Sequence, residues 1–246
     1  MFTPAILHKG PYALSDVIVS VSDSAWTPSA SYDVLVQGAW QERVREAASE
    51  AHAIWDGQFY RVTNIGDMRG DATPPRLCLG TIPYRFIATF RALHEHHARE
   101  RLEPLYHLST AGLIRTRDGQ FVFGKRSRNG AIDLIGGGVQ SDELAIACGS
   151  DIEANLRKEI LEELGVRSAQ IQSVKGKGIL LSTTSNVLVI AAVGLALSMN
   201  EVTAQFADRS DDEMSDLVAV SEDNLSAFLS NMTDYRALIP ELMLCS

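Results

Sequence analysis

The stretch Arg157-Lys158-Glu159-Ile160-Leu161-Glu162-Glu163-Leu164-Gly165-Val166 places three carboxylates within five residues of an amphipathic helix pattern. Ile152, Leu156, Ile160 and Leu164 form the apolar stripe, Glu163 falls inside its edge, and Glu159 and Glu162 continue outward along the same flank. Like charges at i, i+3 and i+4 destabilise a bare helix by some tenths of a kcal/mol. A carboxylate beside core residues also loses water, which is costly without a partner. A divalent cation relieves both problems, and hard oxygen ligands converging at one place suit Mg²⁺, with Mn²⁺ as an alternative. The competing reading is a solvated face in which Lys158 pairs with Glu162 at i, i+4. The helix by itself favours that plainer reading.

The flanking residues reverse the balance. Gly136-Gly137-Gly138-Val139 ends a strand pattern twenty residues before the acids, and glycine there lets backbone groups approach a metal-bound phosphate closely. Glycine strand end, loop, acidic helix and Gly165-Val166 stop together resemble the Nudix box, whose pattern is G-x5-E-x7-R-E-U-x-E-E-x-G-U with U a bulky apolar residue. Gly137-x5-Glu143 fits, and Glu159 to Val166 fits at every position. There are two departures. Fourteen residues separate Glu143 from the basic position, so the loop carries an insertion, and that position is Lys158 with Arg157 one place early. Lysine keeps the charge without the two-pronged contact arginine makes. Either Glu143 or Ser150 takes the place of the first acid of the box.

These groups need elements to position them. Before residue 103 the pattern gives a strand at Asp16–Ser22, a helix with Trp40, Val44, Ala47, Ala51 and Trp55 on one face, a strand at Gln58–Ile65, a strand "RLCLGTI", and a helix from about Pro83 to Glu100. From His107 follow the strands "HLSTAGLIRT" and "QFVFGKRS" around a turn at Asp118-Gly119. A third strand, "AIDLIGGGV", precedes the acidic helix, expected from about Ser150 to Leu164. Then come "QIQSVKGKGILLS", "NVLVIAAVGLALS" with the character of a strand buried on both faces, a last strand "SDLVAVS" and a helix over Glu222–Ser230. The expected class is α/β, an α/β/α sandwich of a mixed sheet between helices, with an N-terminal α+β extension. The boundary is expected near Glu103-Pro104, giving an N-terminal region 1–103 and a domain 104–246.

The resemblance extends beyond the box. "WDGQFYRV" at Trp55–Val62 and "LGTIPYRFIAT" at Leu79–Thr89 are similar to the N-terminal region of the Nudix subgroup that cleaves UDP-glucose and UDP-galactose, which also has a lengthened box loop. "DDEMSDLVAVSEDNL" looks like that subgroup's distal glutamate, here Glu213, before the last strand. The proline or tyrosine that marks ADP-ribose or dinucleoside-polyphosphate enzymes is absent, Ser182 and its neighbours occupying that region.

The resemblance implies a Mg²⁺-dependent hydrolase that splits a nucleoside diphosphate linked to another moiety, UDP-sugar first, to UMP and sugar 1-phosphate. Glu159, Glu162, Glu163 and the Gly137 carbonyl would ligate metal, and Glu213 would be an added ligand or the general base. Lys125, Arg126 and Arg128 would fix phosphates, with a solvated hairpin tip as the alternative. Tyr84 and Arg85, with Tyr60, would contact the base or sugar, or else belong to the core. The competing function is a Nudix-fold nucleotide-binding or regulatory module that does not cleave.

Composition narrows the rest. A net charge of −9 disfavours nucleic acid as a partner. Val187–Leu197, the most apolar run, is far short of a membrane span. Three scattered cysteines, Cys78, Cys148 and Cys245, give neither a disulfide framework nor a zinc knuckle, so a reducing cytoplasm is expected. A small-molecule nucleoside diphosphate is the expected partner, and the chain is compatible with a homodimer. His94, His96 and His97 lack the further ligands a zinc site needs. "KGKG" at Lys175–Gly178 reads as a strand bend.

Overall fold

The computed structural model describes residues 3–49, 55–68, 74–95, 102–209, 211–232 and 234–244. Among these residues ten strands share one mixed sheet. Its main path runs β1 (Ala5–Tyr12), β8 (Ile171–Leu181), β9 (Asn186–Leu195), β5 (His107–Arg115), β3 (Gln58–Val62), β4 (Arg76–Pro83) and β2 (Ile18–Ala25). Beside β5, β6 (Gln120–Arg126) pairs with β10 (Met214–Ser221) and with the two-residue β7 (Ile132–Asp133).

Burial explains the centre of the sheet. In β5 every residue except Arg115 is buried, and β9 is nearly as apolar, so both strands are covered on both faces and pair in parallel over nine residues. One face is covered by α3 (Gly149–Leu164), whose Ile152, Leu156, Ile160 and Leu164 are at most 1% exposed, with α4 (Met199–Ala207) beside it. The opposite face carries α5 (Glu222–Ser230) and α6 (Ile239–Met243) through Leu225, Leu229, Ile239 and Leu242. The α/β/α arrangement of helices around a mixed sheet is as expected.

The N-terminal segments join the same sheet and add a third core in which α1 (Ala30–Ser49) and α2 (Tyr84–Glu95) meet Phe59 and Ile82. Here the expectation for the first helix is corrected. Its buried residues are Tyr32 and Val36 in the first two turns, while Val44 is 38% exposed, because α1 meets α2 with its N-terminal end. Ala51 lies outside the described residues and Trp55 follows the helix. Three elements escaped the sequence reading: β1, which pairs with β8, α4 and α6. The third strand also shrinks to Ile132–Asp133. Beyond it only the bridges Gly112 with Ile135, Ser109 with Gly138 and Phe59 with Gln140 continue the pairing, since Gly136 at φ 149° breaks the regular ladder. The bend expected at "KGKG" corresponds to a register shift between Gly176 and Gly178.

Candidate active site

The acidic helix is fixed at both ends. Asp151 accepts the N–H groups of Ala147 and Cys148 at 2.8 and 2.9 Å, which satisfies donors at the start. Gly165 closes the helix at φ 72°, its N–H donating to the Leu161 carbonyl at 2.9 Å. Midway, Asn155 donates to Thr110 of β5 at 2.9 Å. The register this sets brings the acids under the glycine segment.

Glu163 is 2% exposed, and its Oε2 accepts the N–H of Gly136 at 2.9 Å. Its Oε1 stands 3.6 Å from Arg126 Nη1. Desolvation pushes its carboxyl up to about 8, against the opposing pull of Arg126 and the Gly136 N–H, with Glu159 and Glu213 adding to the rise. Glu159 is pushed up to about 7, again chiefly by desolvation, with Lys158 opposing and Glu162, Glu213 and Asp211 adding. It lies so close to Gly137 that a Cβ there would fall 2.3 Å from Oε2, so only glycine admits the carboxylate. Glu162 is half-buried, 3.6 Å from Lys158 Nζ.

Lys158 makes its closest contact elsewhere, at 2.5 Å from Glu143 Oε2. Burial disfavours its charge, but the bond to Glu143 and the fields of Glu159 and Glu162 outweigh that and raise its pKa. Glu143 is thus the acid in closest contact with the basic position. The inserted loop runs between Glu143 and α3 and packs on the N-terminal region. The Ile146 N–H donates to the Tyr60 hydroxyl at 3.1 Å, and a Cβ on Gly149 would fall 1.9 Å from the Leu14 carbonyl.

Arg126 sits at the end of β6 among carboxylates from three elements. It pairs with Glu213, lies 3.3 Å from Asp133 and faces Glu163. Its own burial opposes its charge, but Asp133, Glu163 and Glu213 more than compensate and raise its pKa. Asp133 is held in turn by the Tyr235 hydroxyl at 3.0 Å. Asp133 and Tyr235 were not among the residues singled out from sequence, because long-range folding alone brings them to this place. The excess of Asp133 near a predicted phosphate cation carries no local signal.

The other candidates are placed as follows. Lys125 and Arg128 flank Arg126 on an exposed edge. Tyr84 packs between Phe59 and Trp55, both ring centroids at 5.7 Å. Arg85 is held by Asp56 at 2.6 Å and lines a cleft of about 440 Å³ with Trp26, Asp33, Gln58, Thr81 and Phe86, away from the acids. Tyr60 is buried and serves the inserted loop. The Gly137 carbonyl accepts the Thr110 N–H at 3.0 Å, leaving its second lone pair for any ligand. His94 stacks on Phe90, and His96 and His97 lie outside the described residues.

As a donor set, Glu159, Glu162, Glu163 and Glu213 are hard oxygens with more negative charge than Arg126 and Lys158 neutralise, which suits a divalent cation in kind. Among the described residues no three His, Cys, Asp or Glu side chains are arranged to hold an ion as they stand, and Arg126 occupies part of the field a metal would fill. No described helix is long and apolar enough to cross a membrane.

No family model matches this chain, and no curated protein matches it. Among solved structures it is similar to the MutT protein from Methanosarcina mazei Go1, at 19% identity over 58% of this chain and 96% of that one, with a TM-score of 0.37. It is also similar to a NUDIX-family hydrolase from Clostridium perfringens, at 14% identity over 58% and 97% of the two chains, TM-score 0.37. Tm1382, provisionally described as a Nudix hydrolase, is 12% identical over 81% and 94%, with a TM-score of 0.45. At these scores the likenesses carry no argument about chemistry, which rests on the residues above.

Proposed function

We propose that the chain is a Nudix-type pyrophosphohydrolase that cleaves a nucleoside diphosphate linked to another moiety, with UDP-sugars first, to UMP and sugar 1-phosphate. One observation carries the reading: Glu159 and Glu163 stand desolvated on one flank of α3 against Gly136 and Gly137, both carboxyls raised to about 7 and about 8. Ionising a buried carboxyl beside a half-buried one is costly, and a hard divalent cation offsets that cost. Mg²⁺, or Mn²⁺, would be held by Glu159, Glu162 and Glu163, with Glu213 and a backbone carbonyl at Gly137 as further donors. Bound there, it would neutralise non-bridging phosphate oxygens and lower the pKa of an attacking water.

The chain's own residues supply the remainder. Arg126, with Lys125 and Arg128 beside it, offers fixed positive charge to phosphates. Its guanidinium would pair with a diphosphate that displaces Glu213 and Glu163 from it. Glu213, 60% exposed beside Arg126, would serve as a further metal ligand or take a proton from water. Residues 1–103 form the wall that holds the nucleoside, Tyr84 among them. A cytoplasmic homodimer fits this reading.

Arg126 inside the acidic cluster also favours a second reading, a nucleotide-binding module without turnover. Incubation with Mg²⁺ and a panel of UDP-sugars, ADP-ribose, NADH, dinucleoside polyphosphates and coenzyme A separates the two. Cleavage lost in Glu163→Gln supports the hydrolase. Binding without cleavage in either form supports the module.

A further inference from the structure

The C-terminal segment reaches the acidic cluster through one chain of contacts. β6 and β7 pair with Gly124 opposite Asp133. Residues two apart on a strand share a face, so Asp133 and Arg126 are diagonal neighbours across this pair. The two oxygens of Asp133 have different partners. Oδ1 accepts the Leu134 N–H at 2.9 Å and the Tyr235 hydroxyl at 3.0 Å, which together hold the carboxylate in orientation. Oδ2 is left to accept from Arg126 Nη2 at 3.3 Å.

Tyr235 is itself tied down. It opens the one-turn helix Tyr235–Leu238, where Asp234 accepts the backbone N–H of Arg236 at 3.0 Å and pairs with its guanidinium at 2.6 Å. The same guanidinium donates to the Ile132 carbonyl, next to Asp133. Tyr235, 102 residues further along the chain, is thus stapled to the strand that carries Asp133. Arg126 in turn has two edges with different partners. Nη1 turns to Glu213 and Glu163, while Nη2 holds to Asp133. A guanidinium held by one edge presents the other in a fixed direction, and that pre-organisation lowers the cost of binding.

We propose that Asp133 and Tyr235 are positioning residues for Arg126: they hold one edge of its guanidinium so that the other points at the diphosphate. Asp133 lies outside the set of acids assigned to metal, so its contact persists when the diphosphate takes Nη1 from Glu213 and Glu163. The segment around Tyr235 then takes part in substrate binding without touching substrate. This assignment rests on the reading of the site as one for nucleoside diphosphates.

Two measurements test it on the full chain. Nitrogen NMR of the arginine side chains, with Arg126 identified by its loss in Arg126→Lys, reports how fast the guanidinium turns about its Nε–Cζ bond. Asp133→Asn is expected to speed that rotation about tenfold, and Tyr235→Phe, which loses only the hydroxyl, by a smaller factor. The second measurement is hydrolysis of whichever panel compound is cleaved. Asp133→Asn should raise KM about tenfold with kcat changed less than about twofold, because it weakens phosphate contacts made equally in ground and transition states. In Arg126→Lys, whose point charge lacks a second edge, adding Asp133→Asn should change KM less than about twofold. Rotation that is free in wild type, or unchanged in both variants, overturns the proposal whatever the protein cleaves. An equal KM rise with and without Arg126→Lys overturns it too. Should Asp133→Asn fail to fold, Tyr235→Phe decides by the same two readings. Faster rotation in a protein that cleaves nothing in the panel leaves the anchoring of Arg126 standing and removes the hydrolase reading.

Discussion

Glu163 accepts the backbone N–H of Gly136 at 2.9 Å with one oxygen while Arg126 stands 3.6 Å from the other. This buried carboxylate is bonded on one side and only loosely paired on the other. Replacing it with glutamine keeps the shape and removes the charge. Glu163→Gln is expected to lower kcat by about 10²–10³-fold with little change in KM, since electrostatic help confined to the transition state is what it removes. Steady-state phosphate release with Mg²⁺ measures both constants.

The raised carboxyls of Glu159 and Glu163 set a pH dependence. A carboxyl whose pKa is higher in the folded than in the unfolded chain contributes stability below its unfolded value, here near 4.5, and loses it as pH rises through about 7 and about 8. Without metal, the melting temperature should fall between about pH 5 and pH 8.5, and Glu163→Gln should flatten that slope. Mg²⁺ should stabilise the wild type most at the alkaline end. Thermal melts across pH, with chelator and with Mg²⁺, show a rising or level profile if the idea is wrong.

Gly137 is closed to any side chain by Glu159. Alanine there would place its Cβ 2.3 Å from Oε2 and force the carboxylate aside. Gly137→Ala is expected to cost about 1–3 kcal/mol of stability, as overpacked sites do, and to abolish most of the Mg²⁺-dependent rise in melting temperature. Urea titration gives the first quantity and melts with and without Mg²⁺ the second.

Tyr60 holds the inserted loop through its hydroxyl to the Ile146 N–H at 3.1 Å. Tyr60→Phe leaves that buried donor unsatisfied and is expected to cost about 1–3 kcal/mol by urea unfolding. Protease cleavage within Leu144–Ser150 should quicken in parallel, whereas unchanged cutting would mean the hydroxyl does not restrain the loop.

The parts of this molecule that could be read from residues alone are those with local causes. β5, β9 and α3 announce themselves by continuous burial or a four-residue stripe, and Gly165 marks the stop of α3 by a backbone conformation other residues rarely adopt. β1 does not, since "AILHKGPY" mixes buried and exposed positions without alternation, and α4 is too short to show a period. At the site, Glu159, Glu162 and Glu163 are visible because neighbours in sequence are neighbours on a helix. That Arg126 meets Glu163, or that Glu143 reaches Lys158 across the insertion, depends on segments brought together by the sheet and is invisible at short range.

β1 lies along the outer side of β8, the last strand of the main path at that end. Cut away the opening segment and β8 would present a bare row of amides and carbonyls to whatever strand drifted past, an invitation to stick to a sister chain. A shortened protein beginning after residue 103 should therefore clump, so the leading stretch also works as a shield against self-adhesion.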